Sequence, residues 1–193
     1  MKKLNRSIPK VGQMNRHGGF ALTELLFAIG IVALILGAVA AIAITTSGSQ
    51  TAQSEARIID SAANKIRTIY NSRADFNGLD NAASISIQAW PSNMVSGTAG
   101  IFNSWGGDVD VVEGTGTYAG QDAARLFEIS SGNVSENSCA DMATASTSAI
   151  GVQVGGTDVY TRGSATLDPV DATGAATACS EGETITFIYG KNG

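Results

Sequence analysis

Residues 25–44 run for twenty positions without a charge, and no other feature limits the fold of this chain so strongly. As a helix the run rises about 30 Å, the thickness of a bilayer's hydrocarbon core. Lys2, Lys3, Arg6, Lys10 and Arg16 precede it, with no acid among residues 1–19. A basic flank of this kind holds its end of the segment in the cytoplasm. Glu24 stands at the lip of the run, where a carboxylate is costly and therefore points to a function.

Three readings compete for this stretch. Ala38-Val39-Ala40 is an A-x-A site after an apolar run, which fits a cleaved secretory signal. A plain membrane anchor carrying an unrelated domain fits the same length. The third reading uses every detail together: a basic leader ending in Gly19, an aromatic Phe20, and a glutamate at the fifth residue after Gly19. The stretch Gly19-Phe20-Ala21-Leu22-Thr23-Glu24-Leu25-Leu26 resembles the class III signal of type IV pilins, which are cut before the apolar segment. Glu24 discriminates, because a discarded signal has no use for a carboxylate at the edge of its apolar core. The resemblance implies that a prepilin peptidase cuts between Gly19 and Phe20 and methylates the new α-amino group of Phe20. Met14 offers a second start and a leader of six residues, the short form usual in type IVa pilins; the long form is usual in type IVb. Both starts stay open.

Removing residues 1–19 leaves 7 basic residues against 17 acidic ones, a formal charge of −10. Such a product is poorly suited to nucleic acid, whose binding rests on neutralising phosphates with Lys and Arg. The sole histidine, His17, lies in the leader. A processed chain would therefore lack Ser-His-Asp and Cys-His catalysis and histidine metal sites. Gly114–Gly120 is glycine-rich but opens no basic helix, so an ordinary turn is the reading. Asp108, Asp110 and Glu113 read as a solvated strand edge before a calcium site. Asn133-Val134-Ser135 matches a glycosylation sequon. No catalytic residue, cofactor or metal is expected.

The helical pattern continues past the apolar run. Ala52, Ala56, Ile59, Ala63, Ile66 and Tyr70 recur at spacings of four and three, one face of a helix. Gln53, Glu55, Arg57, Asp60, Lys65 and Arg67 fall between them as the expected solvated side. No proline occurs between Val11 and Trp90, and residues 71–78 read as the helix end. A helix from Phe20 to Arg73 is roughly 80 Å long, more than a compact domain of this size holds. Its apolar half is expected to protrude into membrane or into other copies of the chain. Gly30 and Gly37 each lower helix propensity by about 1 kcal/mol relative to alanine. They are either ordinary membrane-helix glycines or, as the resemblance implies, points of loosening on assembly. The proline that many pilins carry here is missing.

Beyond Ala74, short β-like runs alternate with turns rich in Gly, Ser and Thr. Val109–Val112, Leu126–Ile129, Ile150–Val154, Thr157–Thr161 and Thr184–Tyr189 are the candidate strands, and 135–147 a candidate helix with Ser135 as N-cap. The expected fold class is α+β: a long N-terminal helix packed across an antiparallel sheet. Residues 90–97 and 101–107, ending in Asn103-Ser104-Trp105-Gly106-Gly107, are similar to the loop after the long helix in type IVb pilins. That resemblance makes 81–90 a short helix, where the residues alone permit a strand. Cys139 and Cys179, an even pair in an exported chain, favour a disulfide over two free thiols. The family similarity implies the same bracket around a variable C-terminal region.

The domains expected are a leader at 1–19, a membrane and fibre-core helix at 20–44, its amphipathic continuation at 45–73 and a head at 74–193. The resemblance further implies a precursor in the inner membrane. An assembly ATPase and platform protein would extract it into a helical homo-oligomer, which leaves through an outer-membrane secretin to the cell surface. Glu24 would attract the cationic N-terminus of a neighbouring subunit. A type II secretion pseudopilin, a minor or tip pilin and a membrane-anchored binding module remain alternatives. Attachment or mating contact is the role toward which type IVb similarity tilts.

Overall fold

The computed structural model of the chain describes residues 20–191. Gly19, Met14 and His17, with the rest of the expected leader, lie outside them. The chain divides into two compact units between Ala43 and Ile44. Helix α1 (Phe20–Tyr70) contributes to both.

In the first unit, Leu22–Val39 is helical with a mean hydropathy of 2.5, and none of it is buried. Apolar residues occupy every face, so no polar side orients the segment, as in a helix made for an apolar medium.

The second unit is an α+β head. After α1 come α2 (Asn81–Ser86), β1 (Val95–Ser96), β2 (Gly100–Ile101) and β3 (Val109–Glu113). A 3-10 turn (Ala123–Arg125) leads into β4 (Leu126–Val134), then α3 (Glu136–Ala145), β5 (Gly151–Val154) and β6 (Thr157–Thr161). Next come α4 (Ala172–Ala178) and β7 (Glu183–Gly190). Strands β3-β4-β7-β5-β6, in that spatial order, make a five-stranded antiparallel sheet; β1 and β2 pair separately.

All six α1 residues assigned to a buried face, Ala52 through Tyr70, are buried. Three of them are alanines, and with Ala62 they keep the helix surface low where it meets the sheet. Phe127, Ile129, Ile185, Phe187 and Tyr189 rise to it from β4 and β7. Tyr70, Phe76, Phe127 and Tyr189 form a continuous aromatic row with centroids 5.6, 4.7 and 5.2 Å apart. The other sheet face has a smaller cluster of Leu126, Ile150 and Ile188 under Tyr118. The glycine-rich 114–120 turn thus carries the ring that covers this face. A side chain at Gly151 would put its Cβ 2.8 Å from that ring.

Thr157–Thr161 is a strand as read; the other four differ at their ends. Strand β4 runs on to Val134 through Ser130-Ser131-Gly132, a poor β sequence on propensity. Ser131 is buried there and accepts a 2.9 Å bond from Asn103 Nδ2, so tertiary contacts override propensity. Helix α2 stops at Ser86, four residues before Trp90. Helix α3 has Ser135 at its N-cap, but the Ser135 hydroxyl bonds Ser138 Oγ at 3.0 Å. The first helical N–H instead donates to Glu181 at 3.1 Å. Helix α4 was not expected. Its signal is Asp171, whose carboxylate accepts from Thr173 N and Gly174 N.

Candidate assembly elements

The first unit offers an apolar rod and one acid. Glu24 lies on the exposed helical surface, two positions before Leu26, which is 61 % exposed. Phe27 and Leu34 are 77 and 76 % exposed. Leaving so many large apolar side chains uncovered is unfavourable in water by roughly 2 kcal/mol per residue. The segment therefore requires lipid or apolar partners.

In the head, the solvated side expected of α1 needs correction. Gln53, Arg57 and Lys65 are exposed, but Glu55 is only 2 % exposed, and Asp60 and Arg67 are half-buried. Glu55 Oε1 accepts from the Ser104 N–H at 2.9 Å and from the Ser104 hydroxyl, which ties the 103–107 loop to the helix. Its position was readable: Glu55 lies three residues after Ala52 and four before Ile59, on the buried face by spacing. Its charge hid it.

Asp60 is the main polar tie. Its Oδ1 accepts from Ser146 Oγ at 2.7 Å, Ser148 Oγ at 2.9 Å and Tyr189 Oη at 2.9 Å. Its Oδ2 accepts from Thr147 N at 3.0 Å. One carboxylate thus joins α1, the α3–β5 connection and β7. Two turns further on, Arg67 Nε donates to Gly190 O and Nη2 to Ser148 O, both at 2.9 Å. Its guanidinium sits 5.2 Å from the centroid of the Tyr189 ring. Burial, with Asp60 beside it, holds the Tyr189 phenol well above its ordinary pKa, and burial lowers that of Arg67.

Asn103 organises the Asn-Ser-Trp-Gly-Gly loop. Its Oδ1 accepts from Trp105 N at 3.0 Å and Gly107 N at 2.8 Å, while Nδ2 donates to Ser131 Oγ and Gly132 O. Any Cβ on Gly107 would collide with the carbonyl of Gly132. The motif is therefore a packing device that joins the loop to β4.

Cys139 and Cys179 are bonded, with Cα atoms 5.8 Å apart. The bridge joins α3 to the end of α4 and so closes the segment that carries β5 and β6. Asp110 and Glu113, weighed as cation ligands, instead accept from Asn81 Nδ2 at 3.1 Å and Gly78 N at 2.7 Å. Among the described residues no cluster of His, Cys, Asp and Glu is arranged to hold a metal.

The family model described as PilS N terminal matches residues 49–192. No curated protein matches significantly. Among solved structures, the type IVb pilin from Salmonella typhi is 20 % identical, with a TM-score of 0.55 over 71 % of this chain and 98 % of that one. TcpA, a type IV pilin from Vibrio cholerae El Tor, is 14 % identical, with a TM-score of 0.50 over 72 % of this chain and 98 % of that one.

Proposed function

Because this chain belongs to the PilS N-terminal family and has the type IV pilin fold, we propose that it is a structural subunit of a bacterial type IV pilus. One observation carries the reading. A single helix is apolar and exposed through Leu22–Val39, and from Ala52 on it packs against a pilin head. In the proposed sequence of events, a prepilin peptidase cuts between Gly19 and Phe20 and methylates the Phe20 amine. The subunit waits in the inner membrane, anchored through residues 20–44. An ATPase and platform protein move it into a fibre that leaves through a secretin. There the apolar rods replace lipid with one another, and the heads, 74–193 with the amphipathic 45–73 behind them, form the surface.

Glu24 has a specific role in this scheme. Two opposite charges in a low-dielectric bundle are far better together than either is alone. The carboxylate therefore draws the cationic Phe20 amine of an incoming copy to a fixed depth and sets the axial register. The Cys139–Cys179 bracket favours a fibre subunit over a type II secretion pseudopilin. Attachment or mating contact is the proposed use of the fibre.

Glu24→Ala is expected to leave cleavage intact and abolish filaments in sheared surface material. Normal filament yield from that variant overturns the role of Glu24. Mass spectrometry of the wild-type product is expected to find N-methyl-Phe20 at its start; a product starting at Ala41 makes residues 1–40 a discarded export signal.

A further inference from the structure

A five-stranded open sheet has two edges, and a free edge invites a further strand. On β6 two outward groups are taken by the chain that follows. Thr161 N donates to Leu167 O at 3.2 Å, and Asp171 N donates to Val159 O at 3.0 Å. On β3 two outward groups, Val109 O and Val111 N, are met by one side chain. Asn81 Nδ2 donates to Val109 O at 3.2 Å, and Asn81 Oδ1 accepts from Val111 N at 2.7 Å.

These two bonds have a specific geometry. A residue on a parallel neighbouring strand donates to the carbonyl before its partner residue and accepts from the amide after it. The carboxamide of Asn81 does this around Asp110, whose side chain also accepts from Nδ2 at 3.1 Å. The amide imitates one residue of a sixth strand and occupies the place where that strand would begin to pair.

The neighbouring structure holds Asn81 in position. Asp80 caps α2 by accepting from Ala83 N at 2.7 Å, and Ser84 Oγ donates to Asn81 O at 2.8 Å. Trp90 Nε1 in turn donates to Ser84 Oγ at 2.9 Å. Helix α2 is six residues long, with Ser84 fully buried and Ile85 packed against the core, which fixes it beside β3.

We propose that Asn81 is an edge plug: it blocks β3 against strand addition by a second copy of this chain, so that heads crowded together cannot join sheet to sheet. The plug stands whether or not the chain forms fibres. If it does, contacts between heads are left to side chains and loops.

The test is amide exchange by NMR, with light scattering, on the full chain in detergent micelles over a dilution series. In the wild type, the Val111 amide is expected to exchange about as slowly as the β3 amides bonded to β4; fast exchange at Val111 overturns the plug whatever the variants do. In Asn81→Ala at low concentration, Val111 is expected to exchange roughly tenfold faster, the loss of one hydrogen bond. As concentration rises, its protection is expected to return in step with dimer formation. Asn81→Asp keeps the acceptor for Val111 but adds a charge beside Asp110, and is expected to remain monomeric. The proposal fails if Asn81→Ala stays monomeric throughout, or if it associates while Val111 remains fast.

Discussion

The two halves of α1 share one conformation and oppose each other in everything else. From Leu22 to Val39 no residue is buried, whereas from Ala52 to Tyr70 one face is sealed against the sheet. Isoleucine shows the contrast best: Ile35 is 56 % exposed, and Ile59 is 0 % exposed. The first half is apolar all round and depends on its surroundings for burial. The second half is amphipathic and finds burial within its own chain. A helix that carries both patterns in series connects a folded domain to an apolar phase.

That contrast can be broken by substitution. The largest effect on filaments is expected from Leu34→Arg, which places a charge at the centre of the apolar half at a cost of about 3 kcal/mol for insertion. Filaments are expected to be lost, while the thermal transition of the head, followed by circular dichroism in detergent, stays in place. A coincident fall in the transition would show that the halves are not independent. Cys139→Ser acts on the head alone. It is expected to cost about 4 kcal/mol on chain-entropy grounds and to lower the amount of folded subunit recovered from cells. An unmoved transition would deny the bridge its stabilising role.

Ile59→Ala against Ile35→Ala sharpens the comparison. The first is expected to lower head stability by about 3 kcal/mol and the second to leave it unchanged within about 0.5 kcal/mol. Denaturant midpoints measure both. Asp60→Asn is expected to cost about 2 kcal/mol, because an amide nitrogen then faces Thr147 N or a hydroxyl that now donates to Asp60. If the cost is negligible, the Asp60 bonds add nothing to the tie between α1 and β7, which then rests on Arg67 and apolar contact.

The smallest effect depends on pH. Tyr118 donates to Asp158 Oδ1 at 2.8 Å, and burial together with that bond pushes its pKa up to about 12 from 10.0. Folding thus favours the neutral phenol. Its contribution is complete below pH 10 and is lost as pH rises towards 12. Tyr118→Phe is expected to flatten the fall in stability across this window, leaving the part due to Tyr189, which is shifted in the same direction. An unchanged profile assigns the whole fall to Tyr189.

Much of this was legible in the sequence, for physical reasons. Burial follows period, so the six α1 core residues could be read from spacing alone. The strands rich in Val, Ile and Phe were found for the same reason. Of the polar residues inside the head, only Glu55 had a position that spacing could have read, and its charge hid it. Glu55, Asp60 and Arg67 look solvated by type, and only their partners on remote segments, Ser104, Ser146–Ser148 and Gly190, make them structural. Asn81 gave no sign of its role, since the edge it meets lies 28 residues away in the chain. The assembly elements divide likewise. The apolar run and the Gly-Phe-x-x-x-Glu signal are local patterns, while the supports of the head come from tertiary structure.

The position of β7 affects how the head is made. It lies between β4 and β5 and pairs with both, yet it follows both in the chain. Until Glu183–Gly190 has been translated, the β3–β4 and β5–β6 pairs have no ladder between them, and Asp60 lacks its tyrosine. A ribosome that stalls before codon 183 therefore yields a chain with two ribbons and no strand to join them, suited to proteolysis.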